Sequence, residues 1–227
     1  MSDPVLAIPV LGEPDLFRQC IESIDIECRL VVIDNSPDGF TWDIVPDDAH
    51  VIDMPGNLGF PASVNLIIKS LPHEPYWLIA NADTTFAPGD LGKLASVTAA
   101  GEYGWVGIND WRVFGVTADF IERVGFMDEW FHPCYCEDAD WERRATLAGV
   151  RWGFIEGETT HVGSVSLREH QFDNARSYPR NVRYYRDKWQ VPSVRAPGGC
   201  TTPFAQDGPV SETTTPPLSR LREQSWS

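Results

Sequence analysis

The sequence predicts an α/β fold built on a mostly parallel central sheet flanked by helices, and three observations carry that reading. Strand-like and helix-like segments alternate over the first half of the chain, the order that produces parallel strands bridged by helices. Leu30–Ile33 and Tyr76–Ala80 are continuous apolar runs, as strands covered on both faces must be. Both end in polar turn clusters, Asp34–Gly39 and Asn81–Asp83, and sheets of this kind bind ligands at the carboxyl ends of their strands.

The elements follow in order. Val5–Val10 is a strand that stops at Leu11-Gly12. Pro14 opens a helix, because its fixed φ suits a first turn, and Phe17, Cys20, Ile21 and Ile24 continue it at helical spacing. Leu30–Ile33 is the second strand, closed by the turn residues Asp34, Asn35, Ser36, Pro37, Asp38 and Gly39. Val51-Ile52 is a short strand, Gly56-Asn57-Leu58-Gly59 a loop, and Ala62–Leu71 a helix with Val64, Ile67, Ile68 and Leu71 on one side. After the Tyr76–Ala80 strand a loop runs to Pro88-Gly89, and Asp90–Ala100 is helical. In the second half, Trp105–Ile108 and Trp111–Val116 read as strands, and a short helix starts at Thr117 or Asp119 and ends near Gly125. Phe126–Cys136 is rich in aromatic residues, Glu137–Ala148 is a helix stopped by Gly149, and Arg151–Ile155 is a strand. His161-Val162-Gly163-Ser164 is a loop, and Leu167–Trp189 is helical with an interruption at Pro179. From Pro192 the composition shifts to Pro, Thr, Ser and Gly, the mark of a tail without a core of its own. The expected organisation is one domain over 1–191, in halves 1–100 and 101–191, with a Pro/Ser/Thr-rich tail over 192–227.

Composition narrows the function. Apolar residues make up 42% of the 227 residues, enough for a sizeable core, so wholesale disorder is excluded. Lys and Arg number 18 against 33 Asp and Glu, a net charge of −15. Such a surface repels polyphosphate backbones, which disfavours a general nucleic-acid or polybasic membrane binder. No apolar run approaches the ~18 residues of a membrane span, and the N-terminal Met-Ser-Asp-Pro-Val lacks the features of a signal peptide; a cytoplasmic location is expected. The five cysteines, Cys20, Cys28, Cys134, Cys136 and Cys200, are odd in number and lack framework spacing, so free thiols are expected. Cys134-Tyr135-Cys136 has half of a metal-site spacing but no second Cys/His pair beside it.

Four segments could carry chemistry. Asp34, at a strand end, either closes an Asx turn or accepts hydrogen bonds from a ribose or base. Asn81 and Asp83, one residue apart, face the same side of an extended chain and suit a hard cation shared with a diphosphate; a strand-ending turn is the plainer alternative. Glu137, Asp138 and Asp140 open a helix, where the dipole favours acids, and Asp140 is placed to pair with Arg143 or Arg144. The same cluster could present a general base, with Trp130, Phe131 and Tyr135 walling a sugar pocket; those aromatics could equally be core. His161 alone reads as a structural hydrogen-bonding residue.

Taken together, these segments resemble the family-two glycosyltransferases of GT-A fold, closest to the branch of bacterial rhamnosyl- and galactofuranosyltransferases. The resemblance rests on Ile8-Pro9-Val10, the stretch from Val31 to Gly39, Asn57-Leu58-Gly59-Phe60 with Asn65, and Trp77 to Asp83. It continues through Val124 to Phe131, Cys136 to Trp141 with Arg144 and Gly149, and His161 to Ser164. It implies a nucleotide-sugar-binding half over 1–100 and an acceptor and catalytic half over 101–191. Pro9 and Val10 would line the nucleoside, Asp34 would hold its base or ribose, and Asn35, Asn57, Gly59, Asn65 and Asn81 would lie about the donor. Asp83 would be the metal-binding Asp, with Mg²⁺ or Mn²⁺ as the cation and His161 completing its shell. Asp138 would be the catalytic base, with Glu137 as the neighbouring candidate. Asn81 departs from the family's Asp-x-Asp pattern and lowers the charge of the site by one.

The implied reaction is inverting, metal-assisted transfer of a hexose or deoxyhexose from a UDP-, dTDP- or GDP-linked donor to an acceptor hydroxyl. The acceptor is open: a glycan, a protein, a lipid-linked sugar or modified nucleic acid. A sugar-phosphate nucleotidyltransferase would need a Gly-rich, basic loop after the first strand, where this chain has Leu11-Gly12-Glu13-Pro14. A non-catalytic nucleotide-sugar- or glycan-binding module of the same fold is the serious rival.

Overall fold

The computed structural model describes residues 3–37, 39–162 and 171–203, with the side chains of 171–174 left aside. Asp38, Gly163, Ser164, the expected helical residues 167–170 and the tail from 204 onward lie outside the described residues.

The first strands form where apolar residues run without interruption: β1 (Val5–Val10), β2 (Arg29–Asp34), β3 (His50–Asp53) and β4 (Tyr76–Ala80). Helix α1 (Pro14–Glu22) connects β1 to β2, and α2 (Phe60–Ser70) leads from β3 to β4. A two-residue strand β5 (Thr84–Thr85) and helix α3 (Asp90–Ala99) follow. Then come β6 (Trp105–Ile108), β7 (Val113–Thr117) and α4 (Ala118–Val124), the last capped by the Thr117 hydroxyl, which accepts from the Phe120 amide. The chain continues through α5 (Glu137–Leu147), β8 (Trp152–Ile155), β9 (Thr160–His161) and α6 (Gln171–Trp189).

Seven strands make one sheet in the order β3-β2-β1-β4-β7-β6-β8. The β3-β2-β1-β4 half is parallel throughout, β7 runs antiparallel to both β4 and β6, and β8 is parallel to β6. The sheet is thus mostly parallel, as expected, with one reversed strand. Successive side chains of β1 point to opposite faces: Val5 and Ala7 join Val31, Ile33 and α2 on one side, and Leu6, Ile8 and Val10 join Val32, Phe17 and α3 on the other. Both faces are covered, and each fully buried Val, Leu, Ile or Phe there stabilises by roughly 1.5–3 kcal/mol.

Two sequence expectations are corrected. Thr160 and His161 are not a free loop: they pair with β5 as a second, two-stranded sheet. Pro179 does not interrupt α6, which continues across it to Trp189. The start of the tail over 192–203 lies along the body: Val194, Ala196 and Cys200 pack on a third core cluster of Phe131, Cys136, Ala139, Tyr185, Trp189 and Val191. The Cys200 amide donates to the Trp189 carbonyl, and Arg143 holds the carbonyls of Ala196 and Gly198.

Candidate functional site

A cavity of about 980 Å³ opens where β1, β2 and β4 end. Its wall draws on distant segments: Pro9 to Glu13 at the end of β1, Asn35 and Pro37 after β2, Gly56, Asn57, Gly59 and Phe60 at the start of α2, Asn81 to Asp83 after β4, Trp111 before β7, and His132 to Tyr135, Glu137 and Asp138 before and within α5. His161 from β9 and Arg176 and Arg180 from α6 complete it. Parallel strands deliver their following loops to one edge, and for that reason residues far apart in sequence meet there.

The short sheet brings Asp83 and His161 together. Thr84 pairs with His161 in register, and the Val162 amide donates to the Asp83 carbonyl at 3.3 Å. Asp83 Oδ1 consequently lies 3.4 Å from His161 Nε2. A carboxylate oxygen and an imidazole nitrogen at that spacing fit a single small cation. Among the described residues no group of three or more His, Cys, Asp and Glu side chains is gathered to hold a metal. The pair therefore suits a cation that takes its remaining ligands from phosphate oxygens and water, as Mg²⁺ commonly does. Asn81 is fixed through its backbone, which donates to the Arg112 carbonyl and accepts from the Thr84 amide. Arg112 in turn forks onto the Asp110 carboxylate at 2.8 and 2.5 Å.

The acidic end of α5 enters the cavity through an unusual turn. Tyr135 and Cys136 both adopt the left-handed backbone conformation, at φ 79° and 72°, which L-residues with side chains rarely do and which costs of order 1–3 kcal/mol each. The turn puts Glu137 and Asp138 on the cavity wall. Glu137 is buried, and among the described residues its Oε2 finds no hydrogen-bond partner. Burial, reinforced by the neighbouring Asp138 carboxylate, raises its pKa well above the ordinary carboxylate range. Asp138 Oδ2 lies 3.0 Å from the Arg195 guanidinium. Asp140 points the other way, fully buried: Arg144 reaches its Oδ2 at 2.8 Å, and Lys188 and Trp189 reach its Oδ1 at 2.7 and 2.8 Å. Burial alone would raise the Asp140 pKa, but Arg144 and Lys188 hold it below its ordinary value.

Of the residues expected at a donor site, Pro9, Val10, Asn35, Asn57, Gly59, Asn81, Asp83, Glu137, Asp138 and His161 line this cavity. Asp34 and Asn65 do not. Each Asp34 oxygen accepts one hydrogen bond, Oδ1 from the Ser36 amide and Oδ2 from the Thr41 hydroxyl, each at 2.8 Å, so Asp34 closes an Asx turn. It shapes the wall indirectly, because Ser36 Oγ accepts from the Gly12 amide at 2.9 Å. Asn65 is buried against Met127, exchanging hydrogen bonds with its carbonyl and amide, and also donates to Glu129. Asn35 combines both roles: it lines the cavity, donates to Ser63 and accepts from the Leu58 amide, fixing the Asn57 loop.

Gly59 is required by space. At φ +82° a Cβ would sit 2.7 Å from the Pro133 carbonyl oxygen and 2.9 Å from His132 Cδ2, so only glycine lets this loop meet the 132–133 segment. The aromatic approach divides three ways: Phe131 is core, Tyr135 lines the cavity and Trp130 is exposed. The cysteines are free. Burial pushes the thiols of Cys134 and Cys136 up to about 12.

Arg176, Arg180 and Arg195 were not anticipated. The spacing of Arg176 and Arg180, four apart on a helix, is a legible sign that they share a face; the direction of that face was not. Arg195 lies in the stretch read as a tail. Among the described residues no helix is long and apolar enough to cross a membrane.

A family model described as "Glycosyl transferase family 2" matches residues 5–155. No curated protein matches the chain. Among solved structures, S. aureus TarS 1-349 superposes with a TM-score of 0.52 at 12% identity, covering 69% of this chain and 59% of that one. A second S. aureus TarS structure gives 0.52 at 11%, covering 74% and 38%. The 1-349 form in complex with UDP-GlcNAc gives 0.51 at 10%, covering 69% and 59%. The chain thus spans about three fifths of the shorter TarS form and 38% of the longer one.

Proposed function

Because the chain belongs to glycosyl transferase family 2, we propose that it transfers a sugar from a nucleotide-diphosphate donor to an acceptor hydroxyl with inversion at the anomeric carbon. One observation carries the reading: a paired Asp83 and His161 and an acidic helix start, Glu137 and Asp138, face one cavity at the carboxyl edge of the sheet. The UDP-GlcNAc complex of TarS supports a nucleotide-sugar donor; UDP-, dTDP- and GDP-linked hexoses or deoxyhexoses are the candidates. The rhamnosyl- and galactofuranosyltransferase-like assignment rests on the motifs from Val31 to Gly39 and Val124 to Trp141.

Pro9 and Pro37 offer apolar surface to a nucleoside at the end of the strand that buries Val10, beside the loop held by Asn35 and Asn57. Asp83 and His161 would hold Mg²⁺ or Mn²⁺, which when bound neutralises charge growing on the departing diphosphate. Arg176 and Arg180 bring positive charge to the same wall. Asp138 accepts the proton of the acceptor hydroxyl as that oxygen attacks from the face opposite the diphosphate. Glu137 lies buried beside it, its pKa raised by burial and by the Asp138 carboxylate. In this reading residues 1–100 are the donor half and 101–191 the acceptor and catalytic half.

A second reading, a non-catalytic nucleotide-sugar-binding module, is favoured by the ion pair that occupies Asp138 Oδ2. Incubation with UDP-, dTDP- and GDP-sugars, with and without Mn²⁺, separates the two. A transferase releases nucleoside diphosphate slowly without acceptor and loses that release in Asp138→Asn. Donor binding with no release under any condition would leave only the binding module.

A further inference from the structure

We propose that Trp130 and Tyr184 form a stacking ledge that seats a pyranose ring of a glycan acceptor beside the cavity; the proposal rests on the transferase reading above. Trp130 is 70% exposed, the highest value among the exposed large apolar residues described. Its ring lies nearly parallel to that of Tyr184, with centroids 6.3 Å apart and planes 27° from each other. One side of the indole is therefore backed by protein and the other is open.

The ledge is built rather than incidental. The buried Asp128 carboxylate holds both halves: Oδ1 accepts from the Trp130 amide at 3.0 Å, and Oδ2 from the Tyr184 hydroxyl at 2.8 Å. Lys188 reaches the same Oδ2 at 2.6 Å. Tyr184 is held through its ring hydroxyl, whereas Trp130 is fixed at its backbone and its indole rests on the Tyr184 ring. The ledge is also continuous with the cavity. Trp130, Tyr184 and Glu129 line a smaller hollow together with His132 and Arg180, and those last two residues line the cavity as well.

That combination matches a sugar. A pyranose presents an apolar C–H face, which lies on an open aromatic plane, and a rim of hydroxyls, which needs donors and acceptors at its edge. Arg180, which also donates to the His132 carbonyl, supplies donors; Glu129, whose Oε1 takes Lys69 and Asn65, supplies its second carboxylate oxygen; and His132, whose Nε2 lies on the Asn57 carbonyl, offers Nδ1 as an acceptor. A ring seated there would extend its chain through the shared His132–Arg180 wall toward Asp138, so an oligosaccharide acceptor is the class the ledge fits.

The test uses the full chain on an array of immobilised oligosaccharides carrying α- and β-linked gluco-, galacto-, manno- and rhamnopyranosyl ends, with UDP and Mn²⁺ present. The wild type should retain at least one glycan. Trp130→Ala should lose about tenfold or more of that binding, Trp130→Phe should keep most of it, and Trp42→Ala, which alters an exposed tryptophan bonded to Asp53, should change nothing. The UDP-induced melting shift should be equal in all four proteins. No glycan retained by the wild type, or equal retention by Trp130→Ala, overturns the proposal. So does a matching loss in Trp42→Ala, which would mark unspecific adsorption, or a reduced UDP shift in Trp130→Ala, which would place the ring in the donor site. Self-association lost in Trp130→Ala with glycan binding intact would identify a second copy as the occupant and equally overturn it. Absence of any nucleotide shift in the wild type defeats the donor reading instead, while a Trp130-dependent glycan signal would still support the ledge.

Discussion

At the scale of single residues, the two neighbouring acids of α5 divide the chemistry by environment. Asp138 is partly exposed and Glu137 buried, so their exchange for amides should separate catalysis from stability. Asp138→Asn should lower kcat by roughly 10²-fold or more with donor affinity little changed; steady-state kinetics with a fixed acceptor reads both. Glu137→Gln acts on stability through pH. Its pKa is raised in the folded state, so the folded protein keeps the proton longer than the unfolded chain. Stability is full below the unfolded value near 4.5 and declines as pH rises toward the folded value. The glutamine variant lacks that decline, and its melting temperature should exceed the wild type's at neutral pH but not at pH 4. Equal gains at both pH values would show that the buried carboxylate is not the cause. Asp83→Ala should abolish the Mn²⁺-dependent part of nucleotide binding and His161→Ala should weaken it, measured by calorimetry with and without EDTA.

At the scale of elements, α6 is docked onto α5 by charge. Lys188 bridges Asp128 and Asp140 at 2.6 and 2.7 Å, and Arg144 closes the other side of Asp140. Such a buried set adds little net stability over an apolar one, but removing one member strands the others without compensation, which costs about 3–5 kcal/mol. Asp140→Asn should therefore lower the urea midpoint strongly, although Asp140 points away from the chemistry. Because the folded state holds its pKa below 3.8, the contribution of Asp140 is present above that value and is lost as pH falls through the lowered folded one. Acid titration of the wild type should show this loss, and the variant should not. The expected pairing of Asp140 with Arg143 or Arg144 was legible from i,i+4 spacing, and Arg144 is the partner. Lys188 was not legible, because nothing local to a sequence reveals which residue of a later helix will cross a given turn.

At the scale of the whole molecule, a net charge of −15 surrounds a cavity expected to receive an anionic diphosphate. Donor binding then depends on local cations, which Arg176 and Arg180 supply and a metal at Asp83 and His161 would add. A nucleoside diphosphate that binds only the folded chain should stabilise it by about 2.7 kcal/mol at a hundred times its Kd. The melting shift should appear with UDP, dTDP or GDP in the presence of Mn²⁺ and shrink with EDTA. No shift with any of the three at millimolar concentration would remove the donor site from the account.

Strand positions, the parallel half of the sheet and the polar clusters at its edge were determined by the sequence alone, because buried strands must be apolar throughout and their ends must turn. The same local logic exposed Asn81, Asp83, Glu137 and Asp138. Only the tertiary structure decided how those residues are used. Asp34 and Asn65 have the side chains of ligands, but buried backbone amides must find partners, and the amides of Ser36 and Met127 claimed them. His161 had no distinguishing local signal; the pairing of β5 with β9 carried it to Asp83. Arg195 lies in a stretch that composition marks as a tail, yet it ends on Asp138 because the segment around it packs against Trp189 and Tyr185. Hydrophobic periodicity and turn chemistry act within a few residues along the chain, whereas a carboxylate's partner is set by which loops the assembled sheet delivers to the same edge.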